Sequence, residues 1–118
     1  MLKLGIVGCG AIGTEICRAI DEGSIELELA AVYDRHEEHL CNLQSCLKNA
    51  EPQLLQLSEM VKHVDLVVES ASQMAAYDVV TVALKSKCDV MVMSVGAFAN
   101  EDFRNEVTDL ARLNGCKI

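Results

Sequence analysis

Apolar residues along this chain fall into two kinds of cluster: short runs closed by glycine, serine or an acid, and longer stretches with a three-to-four-residue spacing. Leu2, Leu4, Ile6 and Val7 form the first short run, followed by residues 29–33, 64–68 and 90–93. Runs of this kind, rich in β-branched residues, predict parallel strands covered on both faces. Between the first two, Ile12, Ile16, Ala19 and Ile20 stand at i, i+4, i+7 and i+8. That spacing predicts a helix over residues 11–21 with this stripe on the sheet and Glu15, Arg18, Asp21 and Glu22 on a solvated face.

The same alternation continues. Residues 35–49 form a polar helix with Leu40, Leu43 and Leu47 inward, and Pro52 is expected to break it. Residues 53–57 predict a short third strand, and Ser58 is placed to cap one helical turn reaching Lys62. Ser72 is placed to cap a helix with Ala75, Ala76, Val79, Val80, Val82, Ala83 and Leu84, apolar over more than one face. Such a helix needs a cover beyond the sheet, which another subunit or a further domain would supply. Asn100 starts a last helix with Phe103, Val107, Leu110 and Ala111 inward, Asn114-Gly115 stops it, and residues 116–118 begin a sixth strand. Right-handed crossovers turn this order into an α/β, doubly wound parallel sheet in the order 3-2-1-4-5.

The chemistry starts at Gly8-Cys9-Gly10-Ala11-Ile12-Gly13, between the first strand and the first helix. This is the G-x-G-x-x-G fingerprint in its strand-turn-helix setting, which makes the expected fold Rossmann-type and residues 1–118 one dinucleotide-binding domain. Gly8 serves the tight turn, Gly10 lets backbone approach a pyrophosphate, and Gly13 lets the helix lie on the strand. Helix N–H groups around Ala11 and Ile12 then face the phosphates without help from lysine. Asp34 ends the second strand, 21 residues beyond Gly13, where an acid accepts the hydroxyl hydrogens of the adenosine ribose. That acid favours NAD, while Arg35 either pairs with a 2′-phosphate, giving tolerance of NADP, or is an ordinary exposed residue at a helix start.

Composition narrows the partners. Apolar residues make up 51% of the chain and aromatic ones only 3%, so the core is aliphatic. A net charge of -8 disfavours nucleic acid and anionic membrane. Residues 1–7 enter a strand without a secretory pattern and no stretch reaches membrane-spanning length, so the expected location is cytoplasmic. The six cysteines contain no C-x-x-C pair and read as reduced core or surface residues. His36 and His39 share a helix face, but Cys41 and Cys46 fall elsewhere, so no metal site is expected.

Ligands in such sheets lie outside the carboxyl ends of the strands. In those loops Ser70, Ser72, Gln73 and Ser94 and the backbone at Gly96 either bond the nicotinamide ribose and carboxamide or serve as caps and turns. No histidine or lysine is expected there, so no catalytic acid or base is assigned.

Glu69-Ser70-Ala71-Ser72-Gln73 and Ser94-Val95-Gly96-Ala97-Phe98-Ala99, followed by Asp102-Phe103, together with the glycine turn, resemble the N-terminal domain of the L-aspartate dehydrogenase family. That family is similar in layout to homoserine dehydrogenases and dihydrodipicolinate reductases. The resemblance covers essentially the whole chain. It implies NAD(P)-dependent oxidation of L-aspartate to iminoaspartate in a homodimer, with Ala71, Ser72, Gln73, Ser94, Gly96 and Ala97 at the nicotinamide end. Substrate pocket and catalytic histidine would lie in a second domain outside these residues, leaving this chain able to bind dinucleotide but not to turn over substrate. A stand-alone NAD(H)-binding or sensing module acting through a protein partner, and the cofactor domain of a homoserine dehydrogenase-like enzyme, are the alternatives.

Overall fold

The computed structural model describes residues 1–118. Five parallel strands, β1 (Lys3–Val7), β2 (Glu28–Tyr33), β3 (Gln53–Leu54), β4 (Leu66–Glu69) and β5 (Asp89–Val92), form one sheet in the order β3-β2-β1-β4-β5. Helices α1 (Ala11–Asp21), α2 (Glu37–Cys46), α3 (Leu57–Met60), α4 (Gln73–Lys85) and α5 (Glu101–Asn114) connect them, with a 3-10 turn at Val95–Ala99 before α5. The doubly wound architecture and strand order are those expected from the alternation.

Two apolar clusters cover the two faces of the sheet. One joins Leu4, Ile6, Val32 and Val68 to Cys17 and Ile20 of α1 and Leu43 of α2. The other joins Val7, Ala31, Val67 and Val90 to α4 and α5. Central strands therefore contribute alternate residues to both clusters, which is why their sequences read as unbroken apolar runs. No helix of the structure is long and apolar enough to cross a membrane.

Several local expectations are corrected by this packing. The sheet-facing stripe of α1 is Gly13, Cys17 and Ile20, while Ile12 is 55% exposed and Ile16 and Ala19 are only half-buried. Small residues let α1 approach β1 closely, and that rotates the large Ile12 outward. Asp21 is buried rather than solvated: its carboxylate accepts the backbone N–H groups of Lys48, Asn49 and Ala50 at 2.8, 2.8 and 2.6 Å. Those bonds draw the chain out of helical form after α2, which ends at Cys46, well before Pro52. Ser58 lies inside α3 and caps nothing; Gln56 precedes that turn without a side-chain cap. The cover over α4 is α5 with the 3-10 turn of the same chain, where Tyr77 meets Phe103 edge-on at 4.7 Å between ring centroids.

Other terminal signals act as read. Ser72 Oγ accepts the Ala75 N–H at 3.1 Å, Asn100 Oδ1 accepts the Phe103 N–H at 3.0 Å, and Gly115 adopts φ +66° at the end of α5. Residues 116–118 run along the outer edge of β5 with one ladder bond, Val90 N–H to Lys117 O at 3.1 Å, and form no sixth strand by themselves.

Candidate functional site

The turn after β1 is fixed by contacts only glycine allows. Gly8 has φ +100°, and a Cβ there would lie 2.6 Å from the Ser70 carbonyl carbon. A Cβ at Gly13 would overlap the carbonyl oxygen of Gly8, which itself accepts the Ser70 hydroxyl at 2.7 Å. Gly10 differs: nothing lies within 4 Å of its would-be Cβ, so its surroundings are open space rather than packed protein. No acceptor in the chain takes the N–H groups of Ala11, Ile12 or Gly13 at the start of α1. Three unspent donors on the positive end of an 11-residue helix make a place for an anion.

Asp34 sits beside this turn. Its Oδ2 accepts the Cys9 N–H at 2.7 Å and faces His39 Nδ1 at 3.0 Å, and its Oδ1 accepts the His36 N–H at 2.7 Å. Burial works against its charge, but these donors outweigh it and hold the carboxyl below its ordinary range. A carboxylate partner accepts only, so Nδ1 of His39 carries the proton in this pair. With three acceptor positions filled and the side chain 7% exposed, Asp34 has room for one further donor, not both ribose hydroxyls. Arg35 is exposed, its Nε donating to His36 Nε2 at 3.2 Å.

Across the crevice, Ser70 braces the glycine turn and Ser72 caps α4, while the hydroxyl of Ser94 donates to Glu69 at 2.8 Å. Each hydroxyl thus has a local structural bond, but that of Ser72 only accepts, which leaves its O–H free to donate into the cleft. Gln73 packs so tightly on Gly96 that a Cβ there would overlap the amide. Ala97 is fully buried, backbone included, and its N–H is spent on the Ser94 carbonyl at 3.2 Å.

A cleft of about 450 Å³ opens at the carboxyl ends of β1, β2 and β4. Gly8, Gly10, Asp34, Arg35, Ala71 and Ser72 line it, together with Met74 and Asp78 of α4. Gln73, Ser94, Gly96 and Ala97 lie outside this cleft, beyond the loop after β4. Contrary to expectation, two histidines do line it, His36 and His39, both at the β2 end. A larger hollow of about 560 Å³ lies at the opposite ends of the strands, near Lys3 and Asp21. The acid there is already filled by residues 48–50, whereas the cleft at the glycine turn has donors to spare. Open space at Gly10, three free N–H groups and a neighbouring acid with one free acceptor position fit a dinucleotide.

Comparison with known proteins agrees. Residues 8–118 match the sequence model of a family described as homoserine dehydrogenase, NAD binding domain. The chain belongs to this NAD-binding domain family. Over all 118 residues it is 62% identical to an L-aspartate dehydrogenase of Methanococcoides burtonii and 48% identical to one of Methanosarcina acetivorans. It spans 44% of the length of each of these relatives. Among solved structures, UDP-N-acetylglucosamine 3-dehydrogenase from Acidithiobacillus ferrooxidans superposes with TM-score 0.77 at 16% identity, over 98% of this chain and 35% of that one. Biliverdin reductase from Synechocystis gives TM-score 0.76 at 17% identity, over 98% and 37%. At these identities the structural neighbours speak for the fold alone.

Within this NAD-binding domain, three residues carry more than sequence reasoning assigned them: Asp21, His39 and Glu69. Glu69 interrupts an apolar run at a strand end, a visible signal, yet its partners lie in two separate loops. The thiol of Cys9, inside the glycine turn, is pushed up to about 12 by burial and by Asp34, so it is not a nucleophile.

Proposed function

We propose that this chain is the cofactor-binding domain of an NAD(P)-dependent oxidoreductase that converts L-aspartate to iminoaspartate. The carrying observation is 62% identity along the entire chain to a relative of that activity, on a cleft that fits a dinucleotide. Gly8, Gly10, Ala11, Ile12 and Gly13 form the pyrophosphate cradle, and Asp34 takes one adenosine ribose hydroxyl. Ala71, Ser72 and Gln73, with Ser94 and Gly96, border the nicotinamide end over the buried Ala97. When bound, the nicotinamide ring supplies the acceptor for the hydride leaving the α-carbon of the amino acid.

Asp34 favours NAD, and Arg35, exposed at the lip of the cleft, gives tolerance of a 2′-phosphate. The substrate pocket and the proton-transfer group belong to a second domain, since the histidines lining this cleft sit at its β2 end. A homodimer built through that domain and a reducing, cytoplasmic setting for the six free cysteines complete the reading. With a net charge of -8, neither nucleic acid nor an anionic membrane is a partner. The family description is the observation that favours a second reading, a homoserine dehydrogenase-like substrate.

The test is a fluorescence titration of the purified chain with NADH and NADPH, followed by an assay with L-aspartate and NAD. Saturable NADH binding without turnover is expected. Turnover by this chain alone would overturn the two-domain reading, and absence of NADH binding would overturn the site.

A further inference from the structure

Glu69 ends β4, paired with Val7 on one side and Val92 on the other, and its side chain is completely buried. None of the ion pairs in the structure includes it. A buried carboxyl group persists only where fixed donors replace water. Here Oε2 accepts the Ala71 N–H and the Ser94 hydroxyl, each at 2.8 Å, and Oε1 accepts the Ser94 N–H at 2.9 Å. Each oxygen thus faces one backbone N–H, one from the loop after β4 and one from the loop after β5. The same two loops meet again where the Gln73 amide lies against Gly96, and where the Met93 N–H donates to the Glu69 carbonyl at 3.0 Å.

We propose that Glu69 is a positioning residue that locks the loops after β4 and β5 into one rim for the nicotinamide half of the cofactor, without touching it. This rests on the function proposed above. A rim ordered in advance leaves less conformational entropy to be lost when the ring docks, so the lock acts chiefly on affinity for that half. The adenosine half is held by the glycine turn and Asp34, whose one side-chain tie to this rim, the Ser70 hydroxyl on the Gly8 carbonyl, involves neither carboxylate oxygen of Glu69.

Glu69→Gln tests this with almost no change of shape. Whichever position the new amide nitrogen takes, it points hydrogens at the N–H of Ala71 or of Ser94, so one loop is released. Ser94→Ala removes only the hydroxyl bond and keeps both N–H bonds. Titrations of the full 118-residue chain with NADH and with ADP-ribose, which lacks the nicotinamide, separate the two halves. Glu69→Gln is expected to weaken NADH about tenfold while ADP-ribose stays within about twofold, and Ser94→Ala to weaken NADH about threefold. Parallel losses for both ligands, or unchanged NADH affinity in folded Glu69→Gln, would overturn the proposal. If Glu69→Gln does not fold, Glu69→Asp, which keeps the charge but draws the carboxylate back from both N–H groups, decides by the same ratio. Wild-type chain that binds neither ligand would overturn the proposed function itself, and the lock with it.

Discussion

Asp34 and Cys9 are joined across 25 residues by a 2.7 Å bond from the Cys9 N–H to Asp34 Oδ2, so the acid at the tip of β2 also holds the glycine turn in shape. Its removal therefore acts twice, on the ribose contact and on the turn. Asp34→Ala is expected to weaken NADH at least about tenfold, the loss of one charge-assisted hydrogen bond plus the disturbed turn. NADPH should lose less, because the same substitution removes a repulsion of the 2′-phosphate. Side-by-side fluorescence titrations check the ratio; equal losses would mean that Asp34 acts only through the turn.

The three glycines of the turn make separable demands. At Gly8 and Gly13 a methyl group meets backbone, and Gly8 also has φ +100°. Gly8→Ala and Gly13→Ala should each cost about 2–4 kcal/mol of stability, read as a lower denaturation midpoint. Gly10→Ala meets no protein atom and should cost about 1 kcal/mol or less, as a change of N-cap residue. Its effect belongs on the cofactor, with NADH affinity falling about tenfold or more as the methyl enters the phosphate position. A folded Gly10→Ala chain with wild-type affinity would place the pyrophosphate elsewhere.

Asp21 gives the chain an acid-sensitive fastening. Hydrogen bonds from the N–H groups of Lys48 and Ala50 foremost, then Asn49, hold its carboxyl below the ordinary 3.8. A carboxyl lowered in the folded state stabilises fully above the unfolded value, and that contribution is lost as pH falls through the folded one. Asp21→Asn should therefore be less stable than wild type by a constant margin from about pH 5 to 8, and the margin should close below roughly pH 4. Urea midpoints across that range measure it. A margin that stayed unchanged below roughly pH 4, down to the lowest pH at which the chain folds, would assign the effect to shape rather than charge.

The sequence made the fold legible because each strand-helix unit carries its own local signals: a run, a cap at Ser72 or Asn100, a stop at Gly115. The glycine turn was legible for the same reason. Long-range polar bonds were not. Asp21 reaches residues 27 to 29 positions away, Glu69 reaches 25, and periodicity carries no record of such distances. Periodicity also left the rotation of α1 open, since Gly13, Cys17 and Ile20 repeat as regularly as Ile12, Ile16 and Ala19. Close approach selects Gly13, where any Cβ would overlap the Gly8 carbonyl oxygen, so volume at that one position sets the rotation of the helix.

The cysteines offer a direct check of that packing. Burial first, aided by Asp34 at Cys9, by Cys9 at Cys17 and by Asp89 at Cys88, pushes these three thiols up to about 12, 12 and 11. Thiolate is the reactive form, so at pH 8 these groups react only when the chain opens. Cys41 and Cys46 are exposed on α2. A chromogenic disulfide reagent should therefore label two thiols rapidly in the native chain, Cys116 at an intermediate rate, and all six in denaturant. Rapid labelling of Cys9 in particular, located by peptide mass after alkylation, would mean that the glycine turn opens on its own. The bonds from Asp34 to Cys9 and from Ser70 to Gly8 would then not hold the phosphate cradle in advance of its ligand.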